Sequence, residues 1–197
     1  IKISCNMRLN AIKDIETYKL MKKAGFRMIL FGLESANQET LDKINKNLKV
    51  EEIEPALKIC KAAGLEPHIT VMVGFPWETK KDVEHTLDFV KKLFRKGYID
   101  TLQATLMIPY PCTPLYKYCR ENNLLLTKDY NHFDQRQPVM KTDLSAEELL
   151  SFIKSTFKTA LTPKFLLRKI FSIRSWSDIK YFLRAARKVM VQIIFGA

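Results

Sequence analysis

At 197 residues and 47% hydrophobic, the chain can bury a sizeable core and reads as one domain with an appendage. No run reaches the ~18 consecutive apolar residues that a membrane-spanning helix needs. The four cysteines, Cys5, Cys60, Cys112 and Cys119, lack CxxC spacing and form no zinc-type cluster with the three histidines, so reduced thiols in the cytoplasm are expected. The net charge of +12 is uneven: from 163 to 197 eight Lys/Arg face the single acid Asp178, which places +7 there and leaves +5 for the first 162 residues.

Residues 1–8 alternate apolar Ile1, Ile3, Cys5 and Met7 with polar Lys2, Ser4, Asn6 and Arg8, the period of a strand with two unlike faces. Because strand-like sequence begins at Ile1, with no initiator Met, the expectation is that an N-terminal part lies upstream. A helix is predicted over 14–24, with Ile15, Tyr18 and Met21 on one side and Gly25 as its stop. A short apolar strand over 28–32 runs into Leu33, Glu34 and Ser35. A short helix over 38–45 and a longer one over 51–63 follow, the second with Ile53, Leu57 and Cys60 on one face. Pro55 is placed close to its first turn, where a missing N–H costs least.

The third strand is the β-branched run that ends at Gly74 and Pro76. Thr79 is then an N-cap, with Asp82 three residues on, for a helix over 80–96. A fourth strand is predicted over 101–108. Beyond it, Thr113 and Pro114 open a helix to about 122, and 126–143 is rich in turn residues. Ser145 and Glu148 make a capping box for a helix to about 161, broken by Pro163. Two amphipathic segments, 164–173 and 177–195, complete the tail.

Strand and helix therefore alternate, which calls for a parallel sheet with right-handed crossovers. Three of the four strands carry one apolar and one mixed face. A sheet covered by helices on both sides would be apolar throughout; a barrel with a polar ligand in its lumen gives the alternation. The expected fold is α/β: an incomplete (βα) barrel, represented by its last four strands, followed by an all-helical C-terminal extension. The expected divisions are 1–123 for the barrel part, 124–162 for a loop and capped helix, and 163–197 for the basic tail.

Three motifs in order, Phe31 to Ser35 (FGLES), Met72 to Thr79 (MVGFPWET) and Pro109 to Tyr116 (PYPCTPLY), resemble the radical S-adenosylmethionine (SAM) enzymes, and most of all their cobalamin-binding branch. The resemblance covers about residues 1–116. The stretch 134–140, the capped helix and the tail look like that branch's C-terminal extension. It implies reductive cleavage of SAM by a 4Fe–4S cluster and hydrogen abstraction from substrate, with methyl transfer or rearrangement as outcomes. The cluster would need a CxxxCxxC loop, which these residues lack. Those ligands, and any cobalamin domain, are expected upstream.

The resemblance assigns SAM contact to Glu34 and Ser35, whose position suits a carboxylate accepting from ribose hydroxyls; the alternative for Glu34 is a loop carboxylate paired with a lysine. It also assigns contact to Gly74, Phe75 and Pro76 on the adenine side. Arg8 is a candidate for the SAM carboxylate or for a lumen salt bridge with Glu34. Trp77 and Cys112 stand where the family more often has Gly. Glu78 is either a helix N-terminal residue or a ligand contact, and His68 is a core histidine. The expected partners are a small-molecule or lipid-like substrate and an electron-donor protein. The tail suits an anionic membrane surface or packing on another domain, and its large apolar groups argue against nucleic acid. Expected localisation is cytoplasmic, peripheral at the membrane. The alternative function is a non-catalytic membrane-surface or partner-binding module on a relic barrel.

Overall fold

The computed structural model describes residues 2–159 and positions 173, 176, 179, 180, 183, 184, 186 and 187. The tail's two predicted segments and the break at Pro163 otherwise lie outside the described residues. Among those described, no helix is long and apolar enough to cross a membrane.

Four parallel strands, β1 (Ile3–Met7), β2 (Phe26–Glu34), β3 (Glu66–Val73) and β4 (Thr101–Leu106), pair in sequence order. Helix α1 (Ile15–Lys23) joins the first two. The short α2 (Gln38–Lys43) and the longer α3 (Val50–Ala62) join the second and third, and α4 (Lys80–Lys96) joins the third and fourth. Parallel neighbours need crossovers of this length, and helices supply them.

The period-2 pattern decides which face each residue takes. Phe31, Ile69 and Leu102 sit side by side across β2, β3 and β4, as do Val71 and Ala104. Ile29, Phe31, Leu33, Ile69, Val71 and Val73 are completely buried beneath Ile53, Leu57 and Cys60 of α3 and Val83, Leu87, Val90 and Phe94 of α4. Each such side chain stabilises the fold by about 1.5–3 kcal/mol. The other face carries the row Asn6, Leu30, His68 and Thr101 and the row Gly32, Thr70 and Gln103. Its residues on β3 are only partly buried. The mixed face expected of the strands is therefore real, and α3 and α4 cover the apolar side.

Several boundaries differ from expectation. β2 begins at Phe26 because Ile3 already pairs with it. β4 stops at Leu106, although the Met107 N–H still donates to the Val73 carbonyl at 2.9 Å. α3 starts at Val50, so Pro55 falls inside the helix rather than in its first turn, where its missing N–H costs a helical hydrogen bond.

The C-terminal extension is not all-helical. After α5 (Pro114–Glu121) the chain makes a one-turn 3₁₀ helix (Tyr130–His132), and an antiparallel bridge pairs Leu125 with Met140 before α6 (Ala146–Thr159). The bridge is closed by the Leu126 N–H to the Val139 carbonyl at 2.9 Å and the Lys141 N–H to the Leu124 carbonyl at 2.7 Å. Turn residues between these partners make a loop cheaper than a helix. α6 does open on the expected box, the Glu148 N–H donating to Ser145 Oγ at 3.2 Å and the Ser145 N–H to the Glu148 carboxylate at 3.0 Å.

Candidate ligand-binding cleft

A cleft of about 430 Å³ opens on the mixed face at the C-terminal ends of β1 to β3, bordered by Asn6, Arg8, Leu30, Gly32, Glu34 and Thr70. In parallel βα folds, ligands bind at this end of the strands. Glu34 ends β2 in a left-handed conformation, φ 67°. The register between β2 and β3 slips there, so that Gly32 faces Thr70 and Glu34 faces Val71. Such a bulge re-aims a side chain, and here it brings the Glu34 carboxylate to the cleft.

The carboxylate is largely enclosed, with 14% of the side chain exposed. Its Oε1 accepts from Lys46 Nζ at 2.7 Å. Its Oε2 is buried and has no partner. Gly32 is what makes room for the pair, because a Cβ there would lie 2.3 Å from Glu34 Oε1 and 3.0 Å from Lys46 Nζ.

Lys46 was not singled out by its sequence context. The turn that carries it runs through Asn45 (φ 53°) and Asn47 (φ 49°), a residue type that tolerates the left-handed region. The end of β1 grips the same turn: Arg8 donates to the Lys46 carbonyl, and Asn10 Nδ2 donates to the Asn47 carbonyl at 2.6 Å. Arg8 thus lines the cleft as expected, but the lumen salt bridge to Glu34 is made by Lys46 instead. A guanidinium committed to a backbone carbonyl holds the lysine's turn over the carboxylate.

Ser35 turns away from the cleft. It is fully buried, and its Oγ donates to Glu78 Oε1 at 2.8 Å. Thr40 Oγ1 donates to the same oxygen at 2.8 Å and itself accepts from Trp77 Nε1 at 3.2 Å. Glu78, 3% exposed, immediately precedes the Thr79 N-cap of α4 and does not border the cleft. Burial pushes its carboxyl above the usual carboxylate range, while hydrogen bonds from Thr40, Ser35 and Asn37 pull it back.

Gly74, Phe75 and Pro76 do not border the cleft. Gly74 has φ +91°, and the space its Cβ would take is occupied by both Leu149 methyls of α6 at 3.3 Å. Its bareness therefore serves packing of the extension. Phe75 is buried and stacks on Trp77, with centroids 5.5 Å apart. Trp77 also meets Tyr118 of α5 edge-on at 5.9 Å and lies under Lys43 Nζ at 5.3 Å. Trp77, where the family more often has Gly, seats α2 and α5 against the loop.

His68 lies on the mixed face with Nδ1 2.7 Å from Thr101 Oγ1, while its Nε2 has no partner. Burial lowers its pKa, favouring the neutral ring. Cys5, Cys60, Cys112 and Cys119 are all free, and among the described residues no three His, Cys, Asp or Glu side chains converge. These residues do not fit an iron–sulfur cluster. The Glu34 carboxylate does fit a ligand bearing adjacent hydroxyls, because its inner oxygen awaits a donor in a cleft of suitable size.

The Radical SAM superfamily model matches residues 1–90. The chain is 34% identical over 194 residues to the uncharacterized methyltransferase PH0819 of Pyrococcus horikoshii, covering 98% of this chain and 41% of that protein. It is 28% identical over 178 residues to the bacteriochlorophyllide d C-8(2)-methyltransferase of Chlorobaculum tepidum, covering 88% and 39%. The chain thus spans about two fifths of the length of these relatives. Its fold superposes on the cobalamin-dependent SAM radical enzyme OxsB with a TM-score of 0.60 at 12% identity, over 98% of this chain and 34% of that one. A parallel sheet with helices on its apolar face, a buried carboxylate where its strands end and the match over residues 1–90 make the chain similar to the radical SAM superfamily.

Proposed function

We propose that this chain forms the SAM-holding part of a cobalamin-dependent radical SAM methyltransferase, the later strands of its partial barrel with the start of its C-terminal extension. The observation that carries the reading is the buried, unpartnered Oε2 of Glu34, presented at the cleft by a strand bulge. Two relatives are methyltransferases by name, and the structural neighbour OxsB was solved with cobalamin and SAM bound. The cluster-ligating cysteines and the cobalamin domain belong, in this reading, to sequence outside these 197 residues.

Glu34 holds the ribose by accepting from its hydroxyls, and its negative charge tolerates a sulfonium nearby. Lys46 orients that carboxylate, and Arg8 fixes the turn that carries Lys46. Thr70 and Leu30 form the floor beneath. These residues would hold SAM alone, and the chemistry of SAM cleavage would be supplied by a cluster held elsewhere in the protein. The substrate class is a small molecule or lipid-like compound, the electrons come from a donor protein, and the site of action is the cytoplasm, with the basic tail resting on a membrane surface.

The experiment is anaerobic reconstitution of the full-length protein with iron and sulfide, followed by assay of deoxyadenosine release from SAM. Release above a cluster-free control is expected. Glu34→Gln, which keeps the shape and loses the charge, should lower kcat/KM about 10-fold or more, the worth of a charge-assisted hydrogen bond. No deoxyadenosine above the control overturns the reading.

A further inference from the structure

The polar cluster beneath the cleft has no part in the function just described. Glu78 and its donors Ser35 and Thr40 are almost completely buried, as is Thr86. A stability role alone would be served as well or better by apolar side chains of the same volume, since an enclosed carboxylate must be desolvated. Nor does α4 need Glu78 at its N-terminus. The Thr79–Asp82 capping box already serves it, with the Thr79 N–H 2.8 Å from Asp82 Oδ2 and the Thr79 side chain accepting from the Asp82 N–H. What the cluster does have is direction.

Ser35 Oγ has one proton, and it goes to Glu78. Ser35 Oγ is thereby left as an acceptor, and takes the Asn37 N–H at 3.1 Å. Thr86 Oγ1, 3.2 Å from Ser35 Oγ, accepts the Ala36 N–H at 3.0 Å. Thr40 donates to Glu78 and accepts from the Trp77 indole. The carboxylate therefore polarises two hydroxyl branches: the one through Ser35, with Thr86 beside it, satisfies the backbone N–H groups of Asn37 and Ala36, and the one through Thr40 ends on the Trp77 indole. Those amides immediately follow Glu34 and Ser35, in the turn whose left-handed conformation aims Glu34 at the cleft. At its other end Glu78 belongs to the 74–78 loop, which α5 holds through Trp77 and α6 through Gly74.

We propose that Glu78 is a positioning residue for the Glu34 site, clamping the β2–α2 turn to the β3–α4 loop and so tying ligand binding at Glu34 to the seating of the C-terminal elements α5 and α6. The proposal rests on the SAM-binding reading for its ligand, and on the buried cluster alone for its mechanical content. Burial of the carboxylate, with its raised pKa, agrees with an oxygen that its hydroxyl donors hold in place.

The test compares Glu78→Gln and Glu78→Leu in the full-length protein. Both hydroxyls donate to one oxygen of Glu78, so the glutamine carbonyl can take both while the leucine takes neither. Ligand-free amide hydrogen exchange should quicken at least 10-fold at residues 34–37 in the leucine variant, with the β2 and β3 core amides unchanged. The affinity for SAM should fall at least 10-fold, and the glutamine variant should stay within about 3-fold of the parent in both. If Glu78→Leu fails to fold, Ser35→Ala removes one donor only and should quicken exchange at 36–37 alone. Unaltered exchange at 34–37, or quickening spread evenly over the sheet, overturns the clamp. A parent protein that binds no SAM yet shows the localised quickening overturns the ligand reading and leaves the clamp standing.

Discussion

Glu34 is held in a backbone conformation that costs an L-residue roughly 1–2 kcal/mol, with one oxygen on Lys46 and the other bare. Strain and an unpaired buried acceptor in one residue mark a site kept for a ligand rather than for stability. The neighbouring glycine protects it. Gly32→Ala would drive a methyl against the Glu34–Lys46 pair, whose side-chain ends are free to shift. Calorimetric titration with SAM should show affinity at least 10-fold weaker, with a thermal midpoint within a few degrees of the parent. An unchanged affinity would mean that the pair is not where the ligand docks. Glu34 was singled out through the family resemblance, two residues after Gly32 at the end of an apolar run. Lys46 was not, because it comes twelve residues later in a polar turn. Only the grip of Arg8 and Asn10 on that turn brings it back.

Among the elements, α4 shows how far local sequence can decide. Its start, its length and its glycine stop at Gly97 (φ 81°) all follow from neighbouring residues, since caps and periodicity act within a few positions. Thr79→Ala removes the hydroxyl that takes the Asp82 N–H, and it should lower unfolding stability by about 1 kcal/mol in urea titrations. The 124–145 stretch is the opposite case. Its one bridge joins Leu125 to Met140 across fifteen positions, and no local pattern announces a partner that far along. The loop at 74–78 lies between the two. Its glycine and proline announced a turn, but the seating of α6 on Gly74 and of α5 on Trp77 depends on the extension.

For the whole molecule, buried titratable groups set the response to pH. Cys60 in α3 is completely buried, and desolvation raises its pKa from 9.0 to about 12. Below pH 9 the thiol is protonated in both the folded and the unfolded chain and contributes no slope. Above it the unfolded chain releases the proton while the native chain keeps it, so stability falls as pH rises, by about 1.4 kcal/mol per unit until about pH 12. Urea unfolding at pH 8.5 and 10.5 should show this loss, and Cys60→Ala should lessen the slope by one thiol's share even though the cavity lowers stability at both values. Equal slopes in the two proteins would contradict the assigned burial.

By itself the sequence determined the order of strands and helices, the parallel sheet with its one apolar face and most helix ends. These follow from periodicity, capping and chain direction, which operate over a few residues. The tertiary structure alone decided what those residues touch. It gave Glu34 to Lys46, turned Ser35 inward to Glu78, filled the space beside Gly74 with Leu149, and bent the extension back on itself. Such pairings join positions 12 to 75 residues apart. The apolar contact follows from close packing, and the polar pairs exist because burial removes water from polar groups, which then bond to whatever partner the fold brings near.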